Sequence, residues 1–342
     1  VKKDIRKISL EELTDWFQSA GEKTFRAKQI HEWLWKKSAT DFSAMTNLSK
    51  ALREKMAEHF VINPIAEDLT QKSSDGTIKS RFKLHDNHFI EGVLIPTDSR
   101  VTACVSSQVG CSLSCKFCAT GFMDRKRNLD AGEIYDQVVM INKQALENYN
   151  QPLTNIVFMG MGEPLLNYKN VMEAIHYITS EEGLNISSKR ITVSTAGIAK
   201  MIKRLADDDV KFNLAISLHA PNDEKRNEIM PINEENNLEV LMDSIQYFKN
   251  MTGNKVTFEY ILFDHFNDSI KEANELIALS RRADAMVNVI EYNAIKEADF
   301  TKSDVGRREK FIRHLEDHGV TAKVRISRGK DIDAACGQLA NK

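Results

Sequence analysis

Along the 342-residue chain the spacing of apolar residues changes character twice. Over the first sixty positions they recur three and four residues apart, the period of a helix with one buried face. Leu10, Leu13, Trp16 and Phe17 form one such set, Phe25, Ala27, Ile30, Trp33 and Leu34 a second, and Leu52, Met56 and Phe60 a third. These sets predict helices from Leu10 to a stop at Gly21, over 24–37 and over 49–60. Ser9 and Glu12 stand at capping-box spacing ahead of the first, and Pro64 closes the unit. From about 77 to 101 the pattern shortens into alternating stretches, 79–84 and 89–95, which read as strands bridging the helical unit to the larger C-terminal part of the chain. Beyond them, β-branched runs at 101–106, 155–159, 190–194, 213–218, 255–262 and 286–292 alternate with helical patterns at 131–147, 168–179, 198–206, 238–250 and 270–282. Strand and helix in alternation imply βα units around a parallel sheet. A last strand is expected at 322–326, ahead of a C-terminal tail.

The expected class is therefore α/β, a partial (β/α)6 barrel short of the eight units of a closed one. A helical domain (1–62) and a β linker (63–98) precede the barrel and its tail (99–342). The formal net charge of −2 leaves no nucleic-acid footprint on the molecule as a whole, although the first sixty residues carry a mild basic excess. No apolar run approaches the roughly 18–20 residues of a membrane span, and Val1-Lys2-Lys3-Asp4-Ile5-Arg6 has no apolar signal core. The expectation is a soluble, cytoplasmic protein without a membrane partner.

Chemistry concentrates in the cysteines. Four of the five lie between Cys104 and Cys118, and a disulfide framework is not expected in a long cytoplasmic chain. Cys111, Cys115 and Cys118 form a C-x3-C-x2-C run on the loop after the first barrel strand, at the end of a barrel where active sites are built. Three thiolates on one loop suit an iron–sulfur centre with one iron left open. A structural zinc site completed by Cys104 or His219 is the competing reading. Gly160-Met161-Gly162-Glu163-Pro164 follows the second strand. Ser194-Thr195-Ala196-Gly197 ends the third, Ser217-Leu218-His219-Ala220 the fourth, and Asn293 the sixth, so polar groups gather at one end of the sheet.

The cysteine run on that loop resembles the radical S-adenosylmethionine (SAM) superfamily. Together with Ala103-Cys104-Val105-Ser106-Ser107-Gln108 and Arg328-Gly329-Lys330-Asp331-Ile332-Asp333-Ala334-Ala335-Cys336-Gly337, it resembles the RlmN/Cfr methyltransferases over nearly the whole chain. Pro164 and Arg328-Gly329 favour the RlmN branch, which forms C2-methyladenine in 23S rRNA and in tRNA, over the Cfr branch, which methylates C8. The resemblance implies a 4Fe–4S cluster on Cys111, Cys115 and Cys118, with SAM bound by Gly162, Glu163, Ser194, Ser217, Leu218, His219 and Asn293. It further implies that Cys336 carries the methyl carbon as S-methylcysteine, that Cys104 resolves the covalent RNA adduct, and that Glu91 accepts a proton. An electron donor such as flavodoxin with its reductase, and a monomeric enzyme, are implied by the same likeness. Arg26, Lys28, Arg125, Lys126, Arg127, Arg325, Arg328 and Lys330 are the candidates for RNA phosphates. A non-catalytic metal-cluster RNA-binding protein is the alternative of another class; it would have no use for Cys104 or Cys336.

Overall fold

The computed structural model describes residues 2–341. Three helices, α1 (Leu10–Ser19), α2 (Phe25–Trp35) and α3 (Lys50–His59), make up the N-terminal unit. The Ser9–Glu12 capping box forms as the spacing predicts, with Ser9 accepting from the Glu12 amide and Glu12 from the Ser9 amide. This unit is fastened to the rest of the protein. The Trp35 ring stacks on Tyr177 at 3.7 Å, and the Tyr135 hydroxyl donates to the Trp35 carbonyl. The buried Arg6 guanidinium reaches Asp136 at 2.8 Å and the Asn63 carbonyl at 2.7 Å.

A single ten-stranded sheet organises everything after residue 65. In chain order its strands are β1 (Ala66–Lys72), β2 (Ile78–Lys83), β3 (Phe89–Thr97), β4 (Arg100–Cys104), β5 (Asn155–Phe158), β6 (Ile191–Thr195), β7 (Asn213–Ser217), β8 (Val256–Leu262), β9 (Met286–Glu291) and β10 (Ala322–Arg325). From β4 to β10 each strand lies beside its predecessor in parallel; β1, β2 and β3 add an antiparallel meander to the β4 edge. The segment read as a linker is thus part of the same sheet. The last strand, expected at 322–326, continues the parallel run as a seventh member.

Helices α4 (Ala131–Tyr149), α5 (Tyr168–Thr179), α6 (Ala199–Asp207), α7 (Asp223–Ile229), α8 (Leu238–Thr252), α9 (Ile270–Ala283) and α10 (Val305–Asp317) fill the connections. The sheet curls strongly. Arg325 at the end of β10 donates to the Met159 sulfur just after β5, at 3.2 Å. Five strand spacings separate those strands, about 24 Å if the sheet were flat. Only a sheet rolled into an open barrel brings them together. No helix among the described residues is long and apolar enough to cross a membrane.

Candidate active site

The rolled sheet leaves one cavity of about 1130 Å³, open mouth included, at the C-terminal ends of its parallel strands. Cys111, Cys115 and Cys118 line it, on the loop after β4. That loop is wound tightly. Cys118 N–H donates to the Cys115 carbonyl at 3.2 Å, Cys111 N–H to Met123 O at 3.3 Å, and Lys116 N–H to Ile229 O at 3.0 Å. Gly110 has φ +74°, and a Cβ there would lie 2.2 Å from the Asp124 carbonyl, so the loop closes only around glycine. Burial holds all three thiols above their ordinary pKa, Cys111 at about 11, with repulsion from neighbouring cysteines adding to the effect. Thiolates so placed need a cationic centre to offset their desolvation.

The other two cysteines face the same cavity. Cys104 ends β4, and burial pushes its thiol up to about 12. Cys336 lies on the tail, an exposed residue that also lines the cavity. Gly337 has φ +86°, and a Cβ there would press to 3.3 Å from the Phe117 carbonyl, so the tail turns hard against the cysteine loop. Ala119 N–H donates to Gly337 O at 2.7 Å and Thr120 Oγ1 to Leu339 O at 2.6 Å. All five cysteines are free thiols.

Residues 3–62 match the ribosomal RNA large subunit methyltransferase N-terminal domain, and residues 105–277 match the radical SAM superfamily. A protein of Cytophaga hutchinsonii named probable dual-specificity RNA methyltransferase RlmN is 61% identical over 341 residues, covering 100% of this chain and 93% of the relative. One of the same name from Bacillus licheniformis is 44% identical, covering 99% and 93%. The chain belongs to the RlmN family. The crystal structure of a radical SAM methyltransferase from Sphaerobacter thermophilus, 42% identical, superposes with a TM-score of 0.93 over 99% of this chain and 100% of that one.

Membership of the radical SAM superfamily implies a 4Fe–4S cluster and SAM, and the residues present fit both. Among the described residues no three His, Cys, Asp or Glu side chains converge to hold a single ion. A cuboidal cluster asks instead for thiols spread around a common void, and three line this one. Glu163, at the N-terminal end of a short turn, accepts from Leu165 N–H at 3.0 Å and Ala196 N–H at 2.8 Å. Burial nevertheless raises its carboxyl to about 7, the environment of a group that gains from an ammonium partner. Gly162, Ser194, Ser217 and His219 also line the cavity, with the two serine hydroxyls 3.5 Å apart. Asn293 donates to the Cys336 carbonyl at 3.2 Å, and its own buried side-chain oxygen has no hydrogen-bond partner.

The sequence-derived residues of this RlmN-family site fall short of convergence at three positions, Asn293 among them, since it meets the Cys336 carbonyl but is not part of the cavity lining. Leu218 is fully buried and its side chain is not part of the cavity lining; its carbonyl accepts from Arg226 at 3.2 Å. Glu91 stands behind the tail rather than on the cavity wall, with one carboxylate oxygen accepting from Ala340 N–H at 2.9 Å. His219 is held neutral, since burial and the nearby Arg226 push it down to about 3. Its Nδ1 accepts from Ile261 N–H at 3.2 Å, and its ring meets Phe117 of the cysteine loop edge-on at 4.6 Å.

Two of the expected phosphate-steering arginines are engaged within the protein. Arg127 pairs with Asp86 and, at 2.7 Å, with Glu133; Arg325 pairs at 3.2 Å with Glu259 inside the cavity. Arg226 is the residue that the sequence did not single out. Fully buried on α7, it donates to Ala196 O at 2.6 Å, Leu218 O at 3.2 Å, Ser217 O at 3.3 Å and Asn233 Oδ1 at 2.6 Å, tying together the ends of β6 and β7. In sequence it is one charge among several in Asp-Glu-Lys-Arg-Asn-Glu, with nothing to mark it.

Proposed function

We propose that this protein methylates C2 of adenine in 23S rRNA and in tRNA, the latter 3′ of the anticodon, using a cysteine as carrier of the methyl carbon. The observation that supports this most is the shared cavity: three cluster-type thiols and two further thiols, from opposite ends of the barrel domain, face one void. Cys111, Cys115 and Cys118 are the cluster ligands. Glu163, with Gly162, Ser194, Ser217 and His219 lining the same cavity and Asn293 against the tail, is the seat of SAM. When bound, those groups supply an electrophilic methyl and a 5′-deoxyadenosyl radical, the chemistry that an electron-poor ring carbon needs and side chains alone lack.

The chain's own residues do the rest. Cys336, reacting as the thiolate, holds the carbon as a thioether on a tail lying against the cysteine loop. Cys104, as the thiolate, then attacks the Cys336 sulfur; the Cys336–carbon bond breaks with its electron pair going to the carbon, which takes up a proton to become the methyl group, and the product RNA leaves while the two cysteines join as a disulfide. A flavodoxin-type donor supplies electrons, and a reductant restores the two thiols. Glu91 accepts the C2 proton once the tail has lifted from its carboxylate. Exposed cations such as Lys28, Arg125 and Lys126 guide phosphates, with residues 1–62 as an RNA-binding accessory unit, and the target base leaves its stack to enter the cavity. The protein acts as a cytoplasmic monomer.

Nucleoside mass spectrometry of 23S rRNA treated anaerobically with the reconstituted enzyme tests the position of the mark. C2-methyladenosine is expected. C8-methyladenosine would assign the chain the Cfr activity, and no methylation with 5′-deoxyadenosine absent would leave only an RNA-binding protein.

A further inference from the structure

The tail that carries Cys336 is held from two sides, and one of them is the antiparallel meander. Near its start, Asp331 accepts from Ser73 Oγ at 2.6 Å and Ser74 N–H at 3.1 Å, and Gly329 N–H donates to Asp75 at 2.9 Å. Near its end, Ala340 N–H donates to Glu91 Oε2 at 2.9 Å, Asn341 Nδ2 to the Phe89 carbonyl at 2.9 Å, and Arg81 to the Asn341 carbonyl at 3.3 Å. Glu91 is itself backed by a cation: Lys79 Nζ lies 3.4 Å from Oε1, the two side chains being 2% and 0% exposed. Lys79 on β2 and Glu91 on β3 are diagonal neighbours on one face of the sheet, Arg81 being opposite Glu91 and Val93 opposite Lys79.

A buried ion pair is a poor device for stabilising a sheet, because desolvation consumes most of its Coulombic gain and an apolar pair of similar size does as well. This pair has a second use that an apolar pair lacks, a carboxylate oxygen turned to the tail backbone four residues beyond Cys336. We propose that Lys79 and Glu91 are positioning residues that latch the C-terminal tail, with Lys79 orienting Glu91 and Glu91 holding Ala340, so that Cys336 is presented to the cavity. The inference rests on Cys336 being the methyl carrier. It gives the meander a role in the reaction, and it makes undocking of the tail the event that releases the Glu91 carboxylate.

Hydrogen exchange of the tail amides, followed by mass spectrometry on the full chain, separates this role from proton acceptance. The double variants Lys79→Met/Glu91→Gln and Lys79→Met/Glu91→Leu both remove the ion pair and the basic carboxylate, but only the first keeps an oxygen for Ala340 N–H. Tail exchange over 335–341 is expected to stay near wild type in the Gln variant and to rise by about tenfold or more in the Leu variant, with β1–β3 protected in both. Ala340→Pro, which removes the donor and leaves the sheet untouched, should speed exchange of the neighbouring tail amides similarly. Wild-type protection of the tail in the Leu variant or in Ala340→Pro, or equal loss in the Gln and Leu variants, overturns the latch. Neither double variant retains the Glu91 carboxylate, so a latch that fails this test leaves the proton-acceptor reading where it stood.

Discussion

At the scale of single residues, His219 shows how the fold decides a side chain's state. Its Nδ1 is used as an acceptor and its surroundings resist charge, so it is neutral in the folded chain with a pKa of about 3 against an ordinary 6.5. The unfolded chain therefore binds a proton that the folded one refuses between those values, and folding stability falls as pH drops through 6.5 toward 3. Urea unfolding of the cluster-free protein at a series of pH values should show this as a slope of up to about 1.4 kcal/mol per pH unit. His219→Gln should flatten that slope; an unchanged one would mean that His219 is not its source. Cys111, Cys115 and Cys118 stood out by spacing alone, because C-x3-C-x2-C is a local pattern. Arg226 and Lys79 were not. Each is an ordinary charge in sequence, and its burial and partners come from strands or loops distant along the chain.

Among the elements, β1, α7 and α10 were not read from the sequence. Strand β1 is exposed along nearly all its length, so its sequence, Ala-Glu-Asp-Leu-Thr-Gln-Lys, carries no alternation to read. Helix α10 buries only Phe311 and Leu315 among many charged residues, and α7 is two turns long. The N-terminal helices were legible, while their attachment was not, since the Trp35–Tyr177 stack joins residues far apart in sequence. That stack ties the helical unit to α5. Trp35→Ala should cost about 3–5 kcal/mol in unfolding free energy, with the unit cleaved earlier than the barrel in limited proteolysis. Equal cleavage rates for the two would place the docking energy elsewhere, in Arg6 and Asp136 foremost.

For the molecule as a whole, the curl of the sheet is what creates the site. It brings the end of β10 to the end of β5, and so places the tail with Cys336 over the loop that holds Cys111, Cys115 and Cys118 and beside Cys104. Periodicity revealed the parallel order of the strands and the family resemblance supplied the roles of the thiols, but neither showed that the linker strands would join the sheet and grip the tail. The most direct test of two thiols handling one carbon is intact-mass analysis of Cys104→Ala, reconstituted anaerobically and incubated with SAM, reductant and an RNA substrate. A covalent RNA–protein species that accumulates, and that disappears in Cys104→Ala/Cys336→Ala, is the predicted result. Free methylated RNA released at the wild-type rate by Cys104→Ala, with no adduct at any time, would contradict it.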